Sequence, residues 1–317
     1  MSKRKQVSGV FLDAETLNLD SLDTSLLDTL DVELTCYPTT PASEVVSRIA
    51  NAEIVLVNKV VLDSEVLRQA KALKYIGVTA TGVNNVDVNY CEEHGICVRN
   101  VEAYGTNSVA QHTLMLLLNL ATSFSQYQQD VKAGKWSTSA HFCLIDHPVT
   151  ELAGKHAVIV GHGELGRRVE ALLTALGMKV SVAARVGNPN DTRPSLASLL
   201  PSADVVTLHC PLTDDNYHLF NQKHLSLMKK GSFLINTARG GLIDENALLQ
   251  ALKSGHLGGA ALDVVSVEPP PANHPLVSAN LPNLIITPHT AWMATESRQR
   301  LFNIAIGHLK RFVENGA

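Results

Sequence analysis

Short apolar runs alternate with amphipathic segments along the first hundred residues. Runs rich in β-branched residues predict buried strands, and the segments of helical spacing between them predict helices. The predicted strands are Val7–Leu12, Val32–Tyr37, Ile54–Val57, Leu73–Val78 and Ile96–Val98, and the predicted helices are Ser43–Ala50, Ser64–Gln69 and Val88–Glu93. This alternation predicts an α/β domain, with a parallel sheet covered by helices on both faces.

A second series of strands and helices follows a long helical stretch. Residues 105–133 predict one helix with an apolar stripe, which Gly134 ends. The stripe is Leu114, Leu117, Leu118 and Ala121. Later strands are predicted at Ala157–Val160, Val180–Ala183, Val205–Leu208, Phe233–Asn236, Gly259–Leu262 and Leu284–Ile286, and a last helix at Thr295–Val313.

The strongest local motif is a glycine-rich turn directly after an apolar strand. The strand ending at Val160 runs into Gly161-His162-Gly163-Glu164-Leu165-Gly166, and an amphipathic helix follows. In Gly-x-Gly-x-x-Gly the first glycine makes a tight turn, the second admits a pyrophosphate and the third lets the helix pack on the strand. With strand and helix both in place, the motif predicts a dinucleotide site at a helix N-terminus.

The residues at the place expected to bind the adenosine ribose favour a cofactor with a 2′-phosphate, NADP(H). NAD-binding proteins of this kind carry a carboxylate about 20 positions after the motif. Here that place is occupied by Ala184, and Arg185 follows it. Because a guanidinium can pair with a 2′-phosphate, use of NADP(H), or of both cofactors, is favoured over strict NAD; the alternative is that Arg185 is a solvated loop residue.

Length and composition limit the class of protein. The 317 residues predict two domains, and 26 basic against 30 acidic side chains, with no basic half, argue against a nucleic-acid partner. No signal peptide or membrane span is predicted, since the most apolar segment, 113–121, is too short. Five cysteines without a CxxC pair predict reduced thiols and no metal site. The expected location is cytoplasmic.

Three later strands are each followed by polar residues. Arg239 lies in the segment 236–245, Glu268 in 263–269, and His289 in 287–292. Ligands of doubly wound sheets bind beyond the carboxyl ends of the strands, where these segments fall. Taken singly each residue is a weak indication, because a lone His after Pro is more often part of a turn.

Together these segments resemble the D-2-hydroxyacid dehydrogenase family. Residues 236–245, 263–269 and 287–292 match its three signature regions, and 80–87 and 101–113 are similar to its hydroxypyruvate reductase (glycerate dehydrogenase) branch. The resemblance implies two doubly wound parallel-sheet domains, with catalysis in the cleft between them. A flavodoxin-like substrate domain would comprise 1–104 and 289–317, with a Rossmann cofactor domain, 105–288, inserted into it.

The resemblance also implies a role for each polar residue. Arg239 would bind the substrate carboxylate or carbonyl, and His289 would donate a proton to the carbonyl oxygen. Glu268 would fix the tautomer of His289 and favour its protonated form. The backbone of Ala80, Thr81 and Gly82 would bind the substrate carboxylate.

The same resemblance places the dinucleotide. Asp263 would accept from the nicotinamide carboxamide, Thr237 and Ala238 would line its ring, and Cys210 with Pro211 would form a wall of the adenosine pocket. The residues expected at the cofactor are Thr81, Gly161, Gly163, Glu164, Leu165, Gly166, Arg185, Cys210, Pro211, Thr237, Ala238, Arg239, Asp263, His289 and Ala291.

The implied activity is hydride transfer between NAD(P)H and a small 2-keto acid, hydroxypyruvate or glyoxylate, giving D-glycerate or glycolate. A homodimer is implied too, with the apolar helix at 107–132 in its interface. The alternatives are another D-2-hydroxy acid as substrate, or a corepressor-like protein that binds dinucleotide as a signal. A phosphoglycerate dehydrogenase is disfavoured because such relatives often append a regulatory domain, and phosphite-oxidising relatives carry lysine where this chain has Thr81.

Overall fold

The computed structural model describes residues 7–315. The strands are β1 (Val7–Phe11), β2 (Val32–Cys36), β3 (Ile54–Val57), β4 (Tyr75–Val78), β5 (Cys97–Arg99), β6 (His156–Val160), β7 (Lys179–Val182), β8 (Val205–Leu208), β9 (Phe233–Asn236), β10 (Gly259–Leu262) and β11 (Leu284–Ile286). The α-helices are α1 (Ala42–Ile49), α2 (Ser64–Leu67), α3 (Val88–Glu93), α4 (Thr106–Thr122), α5 (Phe124–Lys132), α6 (Glu164–Ala175), α7 (Leu196–Leu199), α8 (Gln222–Leu227), α9 (Glu245–Lys253) and α10 (Thr295–Asn315).

The chain divides into two compact units. Thr106–Trp292 forms the middle unit, and the described residues before and after it form the flanking unit. The predicted boundary at 288/289 therefore differs from the observed one. The Ala291 N–H donates to Asp263 Oδ2 at 2.9 Å, and its carbonyl accepts from Ser108 Oγ at 2.6 Å. These bonds attach residues 289–292 to the middle unit.

The flanking unit is built on a five-stranded sheet. All its strand pairs are parallel, in the order β2-β1-β3-β4-β5. This is the flavodoxin-like order predicted from the resemblance. Every residue of β3 and β4 is buried, as expected for strands covered by helices on both faces.

A buried arginine ties the last helix of the flanking unit to its N-terminal part. Arg298, on α10, is 6% exposed. Its Nη1 donates to Leu17 O at 2.6 Å and to Ser21 Oγ at 2.8 Å, and its Nε donates to Met293 O at 3.1 Å. Because these acceptors are neutral, the charge is stabilised by dipoles and not by a carboxylate.

The middle unit is built on a six-stranded parallel sheet. Its order is β7-β6-β8-β9-β10-β11, so the chain reverses its winding direction between β6 and β8. In open α/β sheets, ligands bind at such a switch point, beyond the carboxyl ends of the strands. The segments that carry the predicted site residues of this unit follow β6, β7, β8, β9, β10 and β11.

The long helix predicted over 105–133 is two helices. Ser123 has φ 49° and ψ 35°, in the left-handed region, and separates α4 from α5. The Ser123 hydroxyl donates to Pro148 O at 2.6 Å, which fixes the break. Of the predicted stripe, Leu117 and Ala121 are buried but Leu118 is 38% exposed. None of the helices described is both long and apolar enough to cross a bilayer.

Candidate active site

The glycine turn after β6 requires glycine at two of its three positions. Gly161 has φ 94°, and a Cβ there would lie 2.6 Å from the carbonyl oxygen of His209. A Cβ on Gly166 would lie 2.1 Å from the carbonyl oxygen of Gly161. A Cβ on Gly163, in contrast, would have no atom within 4 Å. The second glycine thus faces open space and the other two face backbone.

That open space fits a phosphate group. It lies at the start of α6, where the first N–H groups of a helix lack partners and its dipole favours anions. The Glu164 carboxylate is turned to Thr106, whose hydroxyl donates to its Oε1 at 2.8 Å. Leu165 packs on the apolar layer between α4 and the sheet. The residues present therefore fit the pyrophosphate of a dinucleotide.

The turn after β7 presents an arginine and holds no carboxylate at its first positions. Arg185 is exposed, and its backbone N–H donates to Asp191 Oδ2 at 2.8 Å. The Asp191 carboxylate also accepts from the Arg193 guanidinium at 2.9 Å. These contacts, with that from Arg193 foremost, hold the pKa of Asp191 well below its usual range. The charged Asp191 therefore holds the two ends of this turn together through its hydrogen bonds.

The buried His209 and the half-buried Cys210, after β8, lie against the glycine turn. His209 Nε2 lies 2.9 Å from Thr207 Oγ1, and burial lowers the pKa of His209 to about 3. Burial also raises the pKa of the Cys210 thiol. Both groups are therefore neutral near pH 7, which suits the packing role expected for Cys210. Sequence reasoning missed His209, since only its fully buried setting distinguishes it.

A carboxylate–imidazole pair lies beyond β10 and β11. Glu268 Oε2 is 2.6 Å from His289 Nδ1, and Glu268 Oε1 accepts from the Val265 N–H at 3.0 Å. Each of the two paired side chains is 33% exposed. The other ring nitrogen of His289 makes no hydrogen bond to any described residue, so the pair leaves one nitrogen free for a reactant.

The backbone of His289 is held in an unusual conformation by Asp263. His289 has φ 53°, which is uncommon for a residue with a side chain. Its N–H donates to Asp263 O at 2.9 Å. The Asp263 carboxylate, 1% exposed, accepts from the N–H groups of Thr290 and Ala291, each at 2.9 Å. Asp263 thus positions the His289 loop, a role that sequence reasoning did not assign.

A histidine on α4 lies close to Asp263 and to Thr287. His112 Nε2 lies 3.0 Å from Thr287 Oγ1 and 3.4 Å from Asp263 Oδ1. Burial lowers the pKa of His112 by more than the nearby Asp263 raises it, so the ring is neutral near pH 7. Beside it, the hydroxyls of Thr113 and Thr237 are 3.0 Å apart. Thr237 and its neighbour Ala238 are each 8% exposed.

Arg239, after β9, has no acidic partner. Its Nη1 donates to Ala238 O at 2.7 Å, and no carboxylate of residues 7–315 lies within ion-pair distance. A half-buried guanidinium without a counter-ion favours anion binding. A Cβ on Gly240 would lie 2.0 Å from the Val265 carbonyl carbon, so the Arg239 turn packs directly on the loop that leads to Glu268.

The predicted carboxylate-binding backbone lies in the flanking unit, after β4. The Ala80 carbonyl accepts from the Val101 N–H at 3.0 Å, and the Thr81 carbonyl accepts from Asn100 Nδ2 at 2.7 Å. In the described chain, the N–H groups of Thr81 and Gly82 donate to no other group. Two fixed carbonyls beside two free N–H groups make this turn a donor surface.

A cavity of about 1000 Å³ in the middle unit borders the Glu268–His289 pair. Asp263, Glu268 and His289 line one side of it, and Gln126 and Gln129 of α5 line the other. No cluster of three metal-ligating side chains occurs among residues 7–315.

A family model of known proteins matches residues 114–291. It describes the "D-isomer specific 2-hydroxyacid dehydrogenase, NAD binding domain". The match includes the glycine turn, Arg239, Glu268 and His289, and covers more than half of the chain. The chain belongs to the D-isomer specific 2-hydroxyacid dehydrogenase family. The resemblance predicted from the sequence is thereby confirmed, and with it the two-sheet α/β fold of this dehydrogenase.

Full-length relatives support the same family. A glycerate dehydrogenase of Methylorubrum extorquens is 41% identical, over 96% of this dehydrogenase and 95% of the relative. A hydroxypyruvate reductase of Blautia hydrogenotrophica is 40% identical, over 96% of each chain. Among solved structures, a D-lactate dehydrogenase of Aquifex aeolicus in complex with NAD and lactic acid has a TM-score of 0.80 at 29% identity, covering 97% of this chain and 96% of that one.

Proposed function

We propose that this dehydrogenase reduces hydroxypyruvate or glyoxylate with NAD(P)H, giving D-glycerate or glycolate. The observation that carries the proposal is the Glu268–His289 pair, 2.6 Å apart, with the unpaired Arg239 at the same edge of the sheet. The relatives named glycerate dehydrogenase and hydroxypyruvate reductase, similar over nearly the whole chain, support this choice of substrate.

His289 is the proposed proton donor. Because its Nδ1 faces Glu268, the proton available to the substrate is on Nε2. A bound nicotinamide would supply hydride to the carbonyl carbon, and His289 would supply the proton to the carbonyl oxygen. Glu268 fixes the orientation of the ring through Nδ1. In the reverse direction, the neutral ring accepts the hydroxyl proton.

Arg239 is the proposed anchor of the substrate. Its guanidinium lacks a carboxylate partner within the protein, so a substrate carboxylate would complete its charge-assisted hydrogen bonds. The free N–H groups of Thr81 and Gly82 are proposed to bind a substrate carboxylate, with Ala80 fixing the turn. A 2-keto acid supplies a carboxylate and a carbonyl on adjacent carbons, which matches one anion-binding group beside one proton donor.

We further propose that the enzyme uses NADP(H), or both cofactors. Ala184 offers no carboxylate to the ribose, and the exposed Arg185 follows it on a turn clasped by Asp191. We expect Arg185→Gln to raise KM for NADPH more than KM for NADH. Asp215, from the segment after β8, adds a negative charge beside this turn, since its carboxylate would lie 3.2 Å from a Cβ on Gly187. Asp215→Asn should therefore lower KM for NADPH, and equal changes for both cofactors in either variant contradict the assignment.

A homodimer is the proposed assembly. Met115 and Leu118 of α4 and Phe124 of α5 are 40%, 38% and 55% exposed, on the helices predicted to form the interface. Phe142, in the segment after α5, is 91% exposed. Sedimentation of the wild type and of Phe124→Asp tests this: we expect a dimer that the substitution weakens, and a monomeric wild type refutes it.

A panel of substrates tests the proposed activity. Initial rates of NADPH and NADH oxidation would be measured with hydroxypyruvate, glyoxylate, pyruvate and phosphohydroxypyruvate, and the chirality of each product determined. We expect the highest kcat/KM with hydroxypyruvate or glyoxylate and a product of D configuration. A higher kcat/KM with pyruvate or the phosphorylated acid would overturn the substrate choice, and cofactor binding without turnover would favour the corepressor-like alternative.

A further inference from the structure

Glu245 lies under the loop that carries Glu268 and binds it with both carboxylate oxygens. It is the first residue of α9, after the N-cap Asp244. Its Oε1 accepts from the Ser266 N–H at 2.7 Å, and its Oε2 accepts from the Ser266 hydroxyl at 2.8 Å. The Glu245 side chain is 14% exposed, so a carboxylate is nearly buried at this point.

A buried histidine faces the same carboxylate from the other side. His274 is 4% exposed, and its Nε2 lies 3.0 Å from Glu245 Oε2. The two groups are in contact, but the ring nitrogens of His274 make no hydrogen bond among the described residues. The His274 backbone is fixed, because its N–H donates to Pro271 O and its carbonyl accepts from the Ser278 N–H, each at 2.9 Å. Glu245 is thus held between Ser266 and His274.

The next peptide along connects this cluster to the catalytic pair. Val265, directly before Ser266, donates its N–H to Glu268 Oε1 at 3.0 Å, while Glu268 Oε2 faces His289. Gly240 packs closely on the carbonyl of Val265, so the 265–266 peptide has no room to move towards Gly240. Two adjacent peptides that meet at the Val265 Cα are therefore held together, because the Ser266 N–H bonds to Glu245 and the Val265 N–H bonds to Glu268.

We propose that Glu245, together with Ser266 and His274, is a positioning residue for the Glu268–His289 pair. It fixes the 265–266 peptide and, through the Val265 Cα, the peptide before it, so the Val265 N–H keeps Glu268 Oε1 engaged and Oε2 directed at His289 Nδ1. Without it, the loop loses two hydrogen bonds, and the one-third exposed Glu268 rotates towards solvent. This inference rests on the roles proposed above for Glu268 and His289.

A double-mutant cycle tests the coupling. Glu245→Ala, Glu268→Gln and the double variant would be compared in kcat and cofactor KM. We expect Glu245→Ala to lower kcat about 10-fold with less than about a 2-fold change in cofactor KM, because misorientation of a catalytic group costs rate. In the Glu268→Gln background the same change should lower kcat by less than about 2-fold.

Three further variants separate positioning from folding. Glu245→Gln keeps an oxygen for the Ser266 N–H and should restore part of the lost kcat. Ser266→Ala removes one hydrogen bond only, and serves if Glu245→Ala does not fold; we expect about a 3-fold loss of kcat that again vanishes in the Glu268→Gln background. The matched control is Glu53→Gln, in the flanking unit, which breaks an ion pair with Lys74 of 2.8 Å and should leave kcat unchanged.

The possible results distinguish this inference from the proposed function. An equal loss of kcat from Glu245→Ala in both backgrounds, or full kcat in Glu245→Ala, overturns the positioning role. If Glu268→Gln itself keeps wild-type kcat, the roles proposed for the catalytic pair are refuted instead. A loss of kcat in Glu245→Ala that is absent in the Glu268→Gln background supports the coupling.

Discussion

The buried His209 behind the glycine turn makes stability depend on pH. The residue is 9% exposed, and its Nδ1 has no hydrogen-bond partner among the described residues. Burial disfavours the charged ring and lowers the pKa of His209 from 6.5 to about 3. We choose His209→Gln as the perturbation, because a glutamine can keep the hydrogen bond to Thr207 but does not titrate.

The sign of the effect follows from the two pKa values. The unfolded chain binds a proton at this residue below about pH 6.5, and the folded chain does so only near about pH 3. The pKa is lower in the folded state, so the stability is present above pH 6.5 and is lost as the pH falls. At about 1.4 kcal/mol per pKa unit, lowering the pH from about 7.5 to about 5 removes about 2 kcal/mol.

Urea unfolding at a series of pH values measures this contribution. Between about pH 7.5 and pH 5, we expect the free energy of unfolding to fall by about 2 kcal/mol more in the wild type than in His209→Gln. His141→Gln, at an exposed histidine, is the control and should follow the wild type. An identical pH dependence in the wild type and in His209→Gln would refute the reasoning, since all other titrating groups are shared.

Substitutions at three further positions test packing and backbone geometry. Gly166→Ala places a Cβ 2.1 Å from a backbone oxygen, so we expect a loss of about 3 kcal/mol in urea unfolding and weaker NADPH binding by titration calorimetry; unchanged binding contradicts the role of the turn. Arg298→Met removes the donor from three acceptors, of which the Leu17 carbonyl is buried, and should cost about 3 kcal/mol; a loss below about 1 kcal/mol contradicts this role of Arg298. Ser123→Gly and Ser123→Ala both lose the bond to Pro148, but only alanine keeps the left-handed strain, so the glycine variant should be more stable by about 1 kcal/mol; equal stabilities contradict the strain.

The strands could be predicted from the sequence because each is a short apolar run. The predicted bounds of Val205–Leu208, Phe233–Asn236 and Gly259–Leu262 are the observed bounds, since hydrophobic residues stop where the buried sheet stops. The break at Ser123 was missed because serine carries no strong helix-ending preference. A hydrogen bond to Pro148, 25 residues further along the chain, holds that break, and no local pattern encodes it.

Part of the candidate site could be predicted from the sequence, and part of it could not. That Arg239, Glu268 and His289 follow neighbouring strands could be inferred from strand order alone, because carboxyl ends of parallel strands share one edge. The contacts of Glu245 could not be inferred. A glutamate at the start of a helix is usually explained by its favourable interaction with the helix dipole. That local explanation was sufficient for Glu245, so nothing in the sequence indicated its bonds to Ser266. Those bonds depend on how two loops pack.

The central claim is that His289, held by Glu268, transfers the proton that accompanies hydride transfer. The most direct measurement is kcat of His289→Ala with hydroxypyruvate and NADPH, together with NADPH binding by fluorescence titration. The account predicts a loss of kcat of about 10²- to 10⁴-fold with cofactor affinity nearly unchanged, because general acid–base catalysis contributes a factor of that size. Wild-type turnover in His289→Ala, at unchanged cofactor affinity, would contradict the account.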